Sequence, residues 1–258
     1  MEPISFDIQN GIAGLTLNRP EKFNSFNREM ALMLQKYLDE CAENDAVRCL
    51  YITGAGKAFC AGQDLAEATD PQGPAMERIV EEHYNPIIRK IRSIEKPVIA
   101  GVNGVAAGAG ANIALACDIV LAASSASFIQ AFSKIGLIPD SAGTFFLPRL
   151  IGLHRAAALM MTGDKISAAE AREMGLVYKV YADEEFPSAT AAFCTQMANM
   201  PTKGLGLTKK LLNETWNHNL DQQLEREMEL QKEAGGTEDY REGVQAFLEK
   251  RKPVFKGK

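Results

Sequence analysis

Three features of this sequence have residue types and spacing suited to chemistry on a carbonyl group: two loops of small residues and one isolated carboxylate. The loops cover residues 57–65 and 104–112, and each follows an apolar run typical of a buried strand. Small residues let a ligand approach the main chain, where two convergent N–H groups would form an oxyanion hole. The carboxylate, Asp140, ends the apolar run 135–139, an environment that disfavours its charged form. This pattern predicts a main-chain-lined site with one acid–base group.

Each of these features also has a purely structural interpretation. Glycine and alanine allow a helix to pack closely on a sheet, whether or not a ligand binds there. Asp140 directly precedes Ser141 and could cap a helix beginning near residues 141–144. Ala109 would begin a helix over residues 109–117, where free N–H groups and the helix dipole favour negative charge. The residues alone therefore leave packing and capping open beside the catalytic interpretation.

Composition excludes several other kinds of function. The three histidines are isolated and the five cysteines are scattered, so neither a metal site nor a disulfide framework is predicted. No Walker loop, G-x-S-x-G elbow or dinucleotide-binding fingerprint is present. A net charge of −5 without a basic, aromatic-rich segment argues against a nucleic-acid partner. With no signal peptide and no unbroken apolar span, we expect a cytoplasmic protein without a membrane partner and with reduced thiols.

Hydrophobic periodicity predicts the elements that position these groups. Two alternating runs flank Asn10-Gly11, the strongest short signal for a hairpin. Asn27 is predicted to cap a helix whose apolar positions follow helical spacing up to about residue 44. Buried-type strands are predicted over 49–54, 97–102, 118–123 and 127–132, with a helix over 76–94. Such strand–helix alternation favours βαβ crossovers and a partly parallel sheet.

From residue 147 onward the pattern becomes helical, with a single strand candidate at residues 176–181. The helical segments are predicted near 147–163, 167–174, 186–216 and 222–251. A chain of 258 residues can bury a sizeable core. The expected fold class is therefore α/β, followed by a helical C-terminal region.

Seven segments together resemble the enoyl-CoA hydratase/isomerase (crotonase) superfamily along essentially the whole chain. These are residues 18–24, 57–65, 96–110, 116–120, 136–150, 162–163 and 171–177. The resemblance implies a core of repeated ββα units over residues 1–195 and a helical region over 196–258 for trimerisation and pocket closure. It implies an acyl-CoA thioester substrate, no separate cofactor, and a homotrimer or dimer of trimers. It also implies that the N–H groups of Ala61 and Ala109 form the oxyanion hole.

Two positions depart from the hydratase members of that superfamily. Where those enzymes hold water with two glutamates, this chain has Asn112 and Phe132, so hydration is not expected. Asp140 stands where hydratases commonly have glycine. In these features the chain resembles the isomerases of phenylacetate degradation, which convert ring-1,2-epoxyphenylacetyl-CoA to an oxepin-CoA. The resemblance implies an acyl-CoA isomerase in which Asp140 moves a proton.

Three other functions stay open at this point: a Δ3,Δ2-enoyl-CoA isomerase, a 4-chlorobenzoyl-CoA dehalogenase-like enzyme with a nucleophilic aspartate, and a non-catalytic acyl-CoA-binding subunit. Retention of Asp140 beside both loops argues against the last. Lys22 is a candidate contact for the CoA phosphates, whereas Asp64 is better suited to anchoring its loop. The predicted substrate-binding residues are Lys22, Phe23, Ala58, Gln63, Asp64, Leu65, Gly108, Asn112, Phe132 and Ile138.

Overall fold

In the computed structural model, which describes residues 2–258, ten strands form two sheets. The strands are β1 (Ile4–Gln9), β2 (Ile12–Leu17), β3 (Cys49–Gly54), β4 (Ala58–Cys60), β5 (Val98–Val102), β6 (Val105–Ala107), β7 (Ile119–Ala123), β8 (Ser127–Ile129), β9 (Lys165–Ser167) and β10 (Lys179–Tyr181). The larger sheet has the order β1-β2-β3-β5-β7-β10, and the smaller has the order β4-β6-β8-β9.

Consecutive strand pairs are divided between the two sheets. In each of the pairs β3–β4, β5–β6 and β7–β8, the first strand joins the larger sheet and the second joins the smaller. Within each sheet these strands run parallel to one another. The predicted partly parallel sheet and repeated ββα units are therefore confirmed. Because β4 and β6 are parallel neighbours, the loops that follow them leave the sheet side by side.

Twelve α-helices complete the described chain: α1 (Arg28–Glu43), α2 (Leu65–Ala68), α3 (Met76–Arg78), α4 (Asn85–Ser93), α5 (Ala109–Ala116), α6 (Gly143–Ile151), α7 (Leu153–Thr162), α8 (Ala168–Met174), α9 (Phe186–Ala198), α10 (Thr202–Glu214), α11 (Leu220–Gly235) and α12 (Glu238–Glu249). The helix predicted over 76–94 contains a π-helical segment, Ile79–Tyr84, between α3 and α4. A π-helical segment rotates the following side chains relative to regular α-helical spacing, and such segments are frequent at functional sites.

The local signals near the N-terminus are confirmed. Asn10 and Gly11 both have positive φ, 51° and 79°, as the tight turn between antiparallel β1 and β2 requires. Asn27 caps α1, and its side-chain oxygen accepts a hydrogen bond from Met30 N at 3.0 Å. These features depend on adjacent residues alone, which is why the sequence reveals them.

Several strands differ from the predictions. The strand predicted over 127–132 ends at Ile129, and a 3₁₀ turn over Ala131–Ile135 follows, so Phe132 lies in the turn. The strand candidate at 176–181 is extended only over β10. Strand β9 has no counterpart among the predictions, and it pairs antiparallel with β8. Strands β4 and β6 lie within segments 57–65 and 104–112, which were predicted as loops. A three-residue strand shows too little alternation to be distinguished from a loop.

The core lies between the sheets and the helices that cover them. All five residues of β5 are buried, as expected of an interior parallel strand. The five cysteines are buried and free, in agreement with the expected absence of disulfides. Between residues 2 and 258, no helix is both long enough and apolar enough to cross a membrane.

Candidate active site

The two small-residue loops meet at the ends of β4 and β6. In the smaller sheet Ala58 pairs with Val105 and Cys60 with Ala106, so the loop after Cys60 lies beside the start of α5. A side chain at Gly110 would place its Cβ only 2.4 Å from Cys60 O. Glycine at this position therefore allows α5 to pack directly against the neighbouring loop.

The Ala61 N–H group is not available to a ligand, contrary to the expectation from sequence. It donates a hydrogen bond to Phe23 O at 3.0 Å. Phe23 has a left-handed backbone, φ 50°, which turns its carbonyl group toward the loop. This main-chain hydrogen bond holds the loop in place. Ala61 therefore stabilises the loop and is not the oxyanion donor that was predicted.

Gln63 supplies the free N–H group of this loop. Phe26 N donates to Gly62 O at 2.7 Å, and Asp64 N donates to Phe26 O at 2.8 Å. In a parallel bridge of this pattern the central residue, Gln63, directs its own N–H group away from Phe26. Among residues 2–258 no acceptor is bonded to it. The loop thus retains one free donor, two residues later than predicted.

Ala109 N is the second donor, as expected from its place at the first position of α5. Gly108 precedes it with φ 53°, and no side chain caps this end of the helix. The first N–H groups of a helix lack intrahelical partners and lie at the positive end of its dipole. A Cβ atom on Gly62 would lie 3.5 Å from Ala109 N, so the two donor-bearing loops are in contact.

Both donors belong to residues that line a cavity of about 390 Å³. Most of its wall is apolar, and its volume is within the usual range for a small-molecule site. Of the predicted residues, the cavity is lined by Lys22, Ala61, Gln63, Leu65, Gly108, Ala109, Phe132 and Asp140. The other lining residues are Ser25, Gly62, Ala68, Met76, Ile79, Tyr84, Ala131, Lys134, Ile135 and Leu137.

Asp140 contributes the single carboxyl group among the cavity-lining residues of the described chain. The capping interpretation is wrong, because α6 begins at Gly143 with Ala142 as its N-cap and without a side-chain cap. The Asp140 carboxylate instead accepts a hydrogen bond from Ser141 Oγ at 2.9 Å. Burial raises the pKa of Asp140, and this hydrogen bond opposes the shift only in part.

Asn112 does not line the cavity; it holds the main chain of Asp140. Its side chain is fully buried, and Nδ2 donates to Asp140 O at 2.9 Å. Its Oδ1 accepts from Gln130 Nε2 at 2.8 Å, which fixes the orientation of the amide. Asn112 was predicted to bind substrate; in the structure it lies outside the cavity lining and orients the main chain of Asp140.

Four other predicted binding residues also lie outside the cavity lining. Ala58 is buried in β4, and Ile138 is 82% exposed on the outer surface. Phe23 is 54% exposed and contributes only its carbonyl group to the loop. Asp64 caps α2 through Ala66 N at 3.0 Å and pairs with Arg19 at 2.8 Å, which matches the anchoring role considered for it.

Phe132 lines the cavity from the 3₁₀ turn. It is almost fully buried, and a Cβ atom on Gly108 would lie 3.7 Å from its ring. The aromatic ring presents an apolar surface where a polar side chain could have bound water, and it therefore disfavours water at this place. Burial raises the pKa of the Cys60 thiol, in β4, to about 12, so this thiol stays protonated and is not a nucleophile.

Tyr84 is a cavity residue that the sequence analysis missed. It is fully buried at the end of the π-helical segment, and its hydroxyl donates to Gln63 Oε1 at 2.8 Å. Regular helical spacing over residues 76–94 gives no indication that this side chain faces the site.

Ser141→Ala should move the acidic limb of the pH–activity profile to higher pH. The Ser141 hydroxyl stabilises the ionised carboxylate, so its loss raises the pKa of Asp140 further, and the base form then requires a higher pH. Alanine tolerates this backbone, because Ala142 adopts φ 58° beside Ser141 at φ 50°. The profile of kcat/KM against pH measures the shift.

Ser124→Ala is the matched control, because it removes a serine hydrogen bond of the same length, 2.9 Å, to the exposed Asp183. That variant should leave the acidic limb unchanged. If the acidic limb of the pH–activity profile were unchanged in Ser141→Ala, or moved to lower pH, the carboxyl group that controls activity would not be Asp140.

The fold and the cavity define the class of protein, and comparison with known families agrees. The sequence matches the enoyl-CoA hydratase/isomerase family over residues 7–258. The chain belongs to this family and has the crotonase fold. It is therefore a member of an enzyme family, and several of its relatives are named for acyl-CoA thioester substrates.

Individual relatives cover the whole chain. A 1,2-epoxyphenylacetyl-CoA isomerase of Escherichia coli K12 is 49% identical, with 100% of each chain covered. A protein of Rhodobacter capsulatus named a probable enoyl-CoA hydratase is 44% identical, with 99% of this chain and 98% of that protein covered. The crystal structure of an enoyl-CoA hydratase/isomerase from Mycobacterium abscessus superimposes with a TM-score of 0.94, at 38% identity and with 99% and 100% covered.

Proposed function

We propose that this protein is an acyl-CoA isomerase in which Asp140 transfers a proton between two carbon atoms of the acyl group. The observation that carries the proposal is one carboxyl group of raised pKa in an apolar cavity beside two free N–H groups. A base needs a pKa close to the working pH, and burial moves Asp140 in that direction. The N–H groups of Gln63 and Ala109 are the proposed oxyanion hole.

The proposed reaction keeps every atom of the substrate. The thioester oxygen accepts hydrogen bonds from Gln63 N and Ala109 N, which makes the C2–H bond more acidic. Asp140 takes the C2 proton, and the electron pair moves onto the thioester oxygen as a dienolate. Asp140 then returns the proton to the γ carbon, while the new double bond forms between C2 and the next carbon. No water molecule takes part.

Hydration of a 2-enoyl-CoA is not supported by this cavity. Addition of water requires a group that activates it and a group that protonates C2. Asn112 is buried behind Asp140, and Phe132 presents an aromatic ring. One carboxyl group suffices for a proton shift between carbon atoms, whereas hydration in this family needs two.

The proposed substrate is ring-1,2-epoxyphenylacetyl-CoA. The ring C1–C2 bond, which the epoxide shares with the six-membered ring, breaks while both C–O bonds remain, and this gives a seven-membered oxepin ring. The same proton shift then gives 2-oxepin-2(3H)-ylideneacetyl-CoA. The name of the E. coli relative, at 49% identity, supports this choice, as does a cavity of about 390 Å³. The second candidate is a Δ3,Δ2-enoyl-CoA isomerase, because a linear 3-enoyl group undergoes the same shift from C2 to C4.

A comparison of three substrates tests the proposal. Epoxyphenylacetyl-CoA, 3-hexenoyl-CoA and crotonyl-CoA would be supplied separately in deuterium oxide, and products followed by mass spectrometry. We expect the highest kcat/KM with the first, slower isomerisation of the second and no hydration of the third. Dominant hydration of crotonyl-CoA would overturn the isomerase proposal. Binding without deuterium at C2 of any substrate would favour the non-catalytic acyl-CoA-binding subunit.

Assembly as a homotrimer or a dimer of trimers remains part of the proposal. The C-terminal helices expose large apolar side chains, including Leu220, Met228 and Phe247, the last of them 83% exposed. Exposed apolar surface of this kind is typical of association surfaces. Light scattering should give a mass three or six times that of the chain, and a monomer at micromolar concentration would contradict the expectation.

A further inference from the structure

Tyr84 places a hydroxyl group in an otherwise largely apolar part of the cavity wall. The side chain is fully buried, and Met76, Ile79 and Ala68 are among the other residues that line the cavity. Its ring packs edge-on against Phe26, with centroids 6.0 Å apart. Phenylalanine would fill the same space without a buried hydroxyl group, so packing alone does not explain tyrosine here.

A chain of hydrogen bonds fixes the position of this hydroxyl group. Arg28 N donates to Glu67 Oε1, and Gln63 Nε2 donates to Glu67 Oε2, both at 2.9 Å. A carboxylate can only accept, so the Gln63 amide must direct its nitrogen to Glu67 and its oxygen to Tyr84. The Tyr84 hydroxyl then donates to Gln63 Oε1 at 2.8 Å.

The same residue, Gln63, thus has two contacts that matter for the cavity. Its main-chain N–H group is the proposed donor to the thioester oxygen, while its side chain holds the hydroxyl of Tyr84, another lining residue. The electrostatic surroundings keep this hydroxyl protonated, because burial raises the pKa of Tyr84 well above its ordinary value and Asp140 adds to the effect. Tyr84 is therefore a neutral hydrogen-bond donor among the residues that line the cavity.

We propose that the Tyr84 hydroxyl binds an oxygen atom of the acyl group and so makes the cavity selective for oxygen-bearing acyl thioesters over hydrocarbon ones of equal size. This inference rests on the proposed function and deepens it, since the proton shift itself is the same for both classes. A hydroxyl proton rotates to suit its partners, so it can leave Gln63 Oε1 for a ligand oxygen. A hydrocarbon group at the same place offers no acceptor.

Two unreactive ligands of equal shape test the inference by binding alone. Tetrahydrofuran-2-ylacetyl-CoA carries an ether oxygen where cyclopentylacetyl-CoA carries a methylene group, and neither has a double bond to move. We expect the wild-type protein to bind the ether ligand about fivefold more tightly, the value of one net hydrogen bond. In Tyr84→Phe this preference should disappear, with the affinity for the cyclopentyl ligand within about twofold of wild type.

Tyr51→Phe is the control, because the Tyr51 hydroxyl bonds to Thr190 Oγ1 at 3.3 Å and does not line this cavity. It should keep the wild-type preference. Equal affinity of the wild type for both ligands would overturn the inference, as would a preference that survives in Tyr84→Phe. Neither result depends on turnover, so failure of the proposed reaction is recognised separately in the three-substrate assay.

Discussion

Asp140→Asn is expected to reduce isomerisation by about 10³-fold while the fold and acyl-CoA binding are retained. Asparagine has nearly the same shape and can still accept the hydrogen bond from Ser141, but its amide cannot take a proton from C2. The oxyanion donors remain in place, so thioester affinity should change little. Single-turnover rates and deuterium incorporation at C2 measure the loss, and calorimetry with a substrate analogue measures binding.

Asp164→Asn provides the matched control, because Asp164 is exposed and lies outside the cavity lining. It should retain full activity and wild-type affinity. An Asp140→Asn variant that still exchanged the C2 proton at the wild-type rate would show that another group is the base, and the assignment of the cavity as a proton-transfer site would then fail.

The same substitution should not reduce stability at neutral pH. Burial raises the pKa of Asp140 in the folded protein above its value in the unfolded chain. The folded state therefore holds the proton more tightly, and the stability that this contributes is lost as the pH rises through the folded-state pKa. Above that pKa the wild type carries the cost of a buried charge, which asparagine removes. We expect an equal or higher Tm, as is common when a residue serves activity at the expense of stability.

The position of the site could be predicted because the residues that form it stand next to strands that the sequence reveals. Loops 57–65 and 104–112 each follow a strand that is recognisable from its apolar run, and parallel pairing of β4 with β6 brings them together. Asp140 was recognisable because it ends an apolar segment. Such signals depend on residue type and short-range order, which the sequence displays directly.

The identity of the free donor could not be predicted from these patterns. Whether Ala61 or Gln63 offers its N–H group depends on which carbonyl groups approach the loop from elsewhere in the chain. Phe23 O takes the Ala61 N–H group, whereas the bridge to Phe26 leaves the Gln63 N–H group free. Both partners lie more than thirty residues earlier in the chain, where no local spacing points to them.

Side-chain direction was the other source of error. The sequence placed Asn112 in the site and did not indicate Tyr84, whereas Asn112 bonds to the main chain of Asp140 and Tyr84 lines the cavity. In α5 every residue is buried, so hydrophobic pattern does not identify the face that meets the ligand. In the segment Ile79–Tyr84 the π-helical geometry changes the angular spacing from which such a face would be inferred.

Gly62→Ala should reduce kcat/KM by roughly 10²–10³-fold, the usual cost of losing one oxyanion donor. Gly62 has φ +92°, and a Cβ atom there would lie 3.0 Å from Ala107 O and 3.5 Å from Ala109 N. The added methyl group would therefore press on the start of α5 and change the separation of the two donors. Because the thioester oxygen gains charge only during the reaction, kcat should fall more than substrate affinity.

A second glycine separates this effect from backbone strain. Gly175 has φ +94°, and a Cβ atom there would meet its nearest neighbour, Leu150 O, at an ordinary 3.6 Å. Gly175→Ala should therefore lower Tm through the same left-handed strain, of about 1–2 kcal/mol, while keeping wild-type kcat/KM. If the two variants lost activity in proportion to their loss of stability, the contact between Gly62 and Ala109 would play no part in catalysis. A selective loss in Gly62→Ala would instead support the paired donors as the group that stabilises the dienolate.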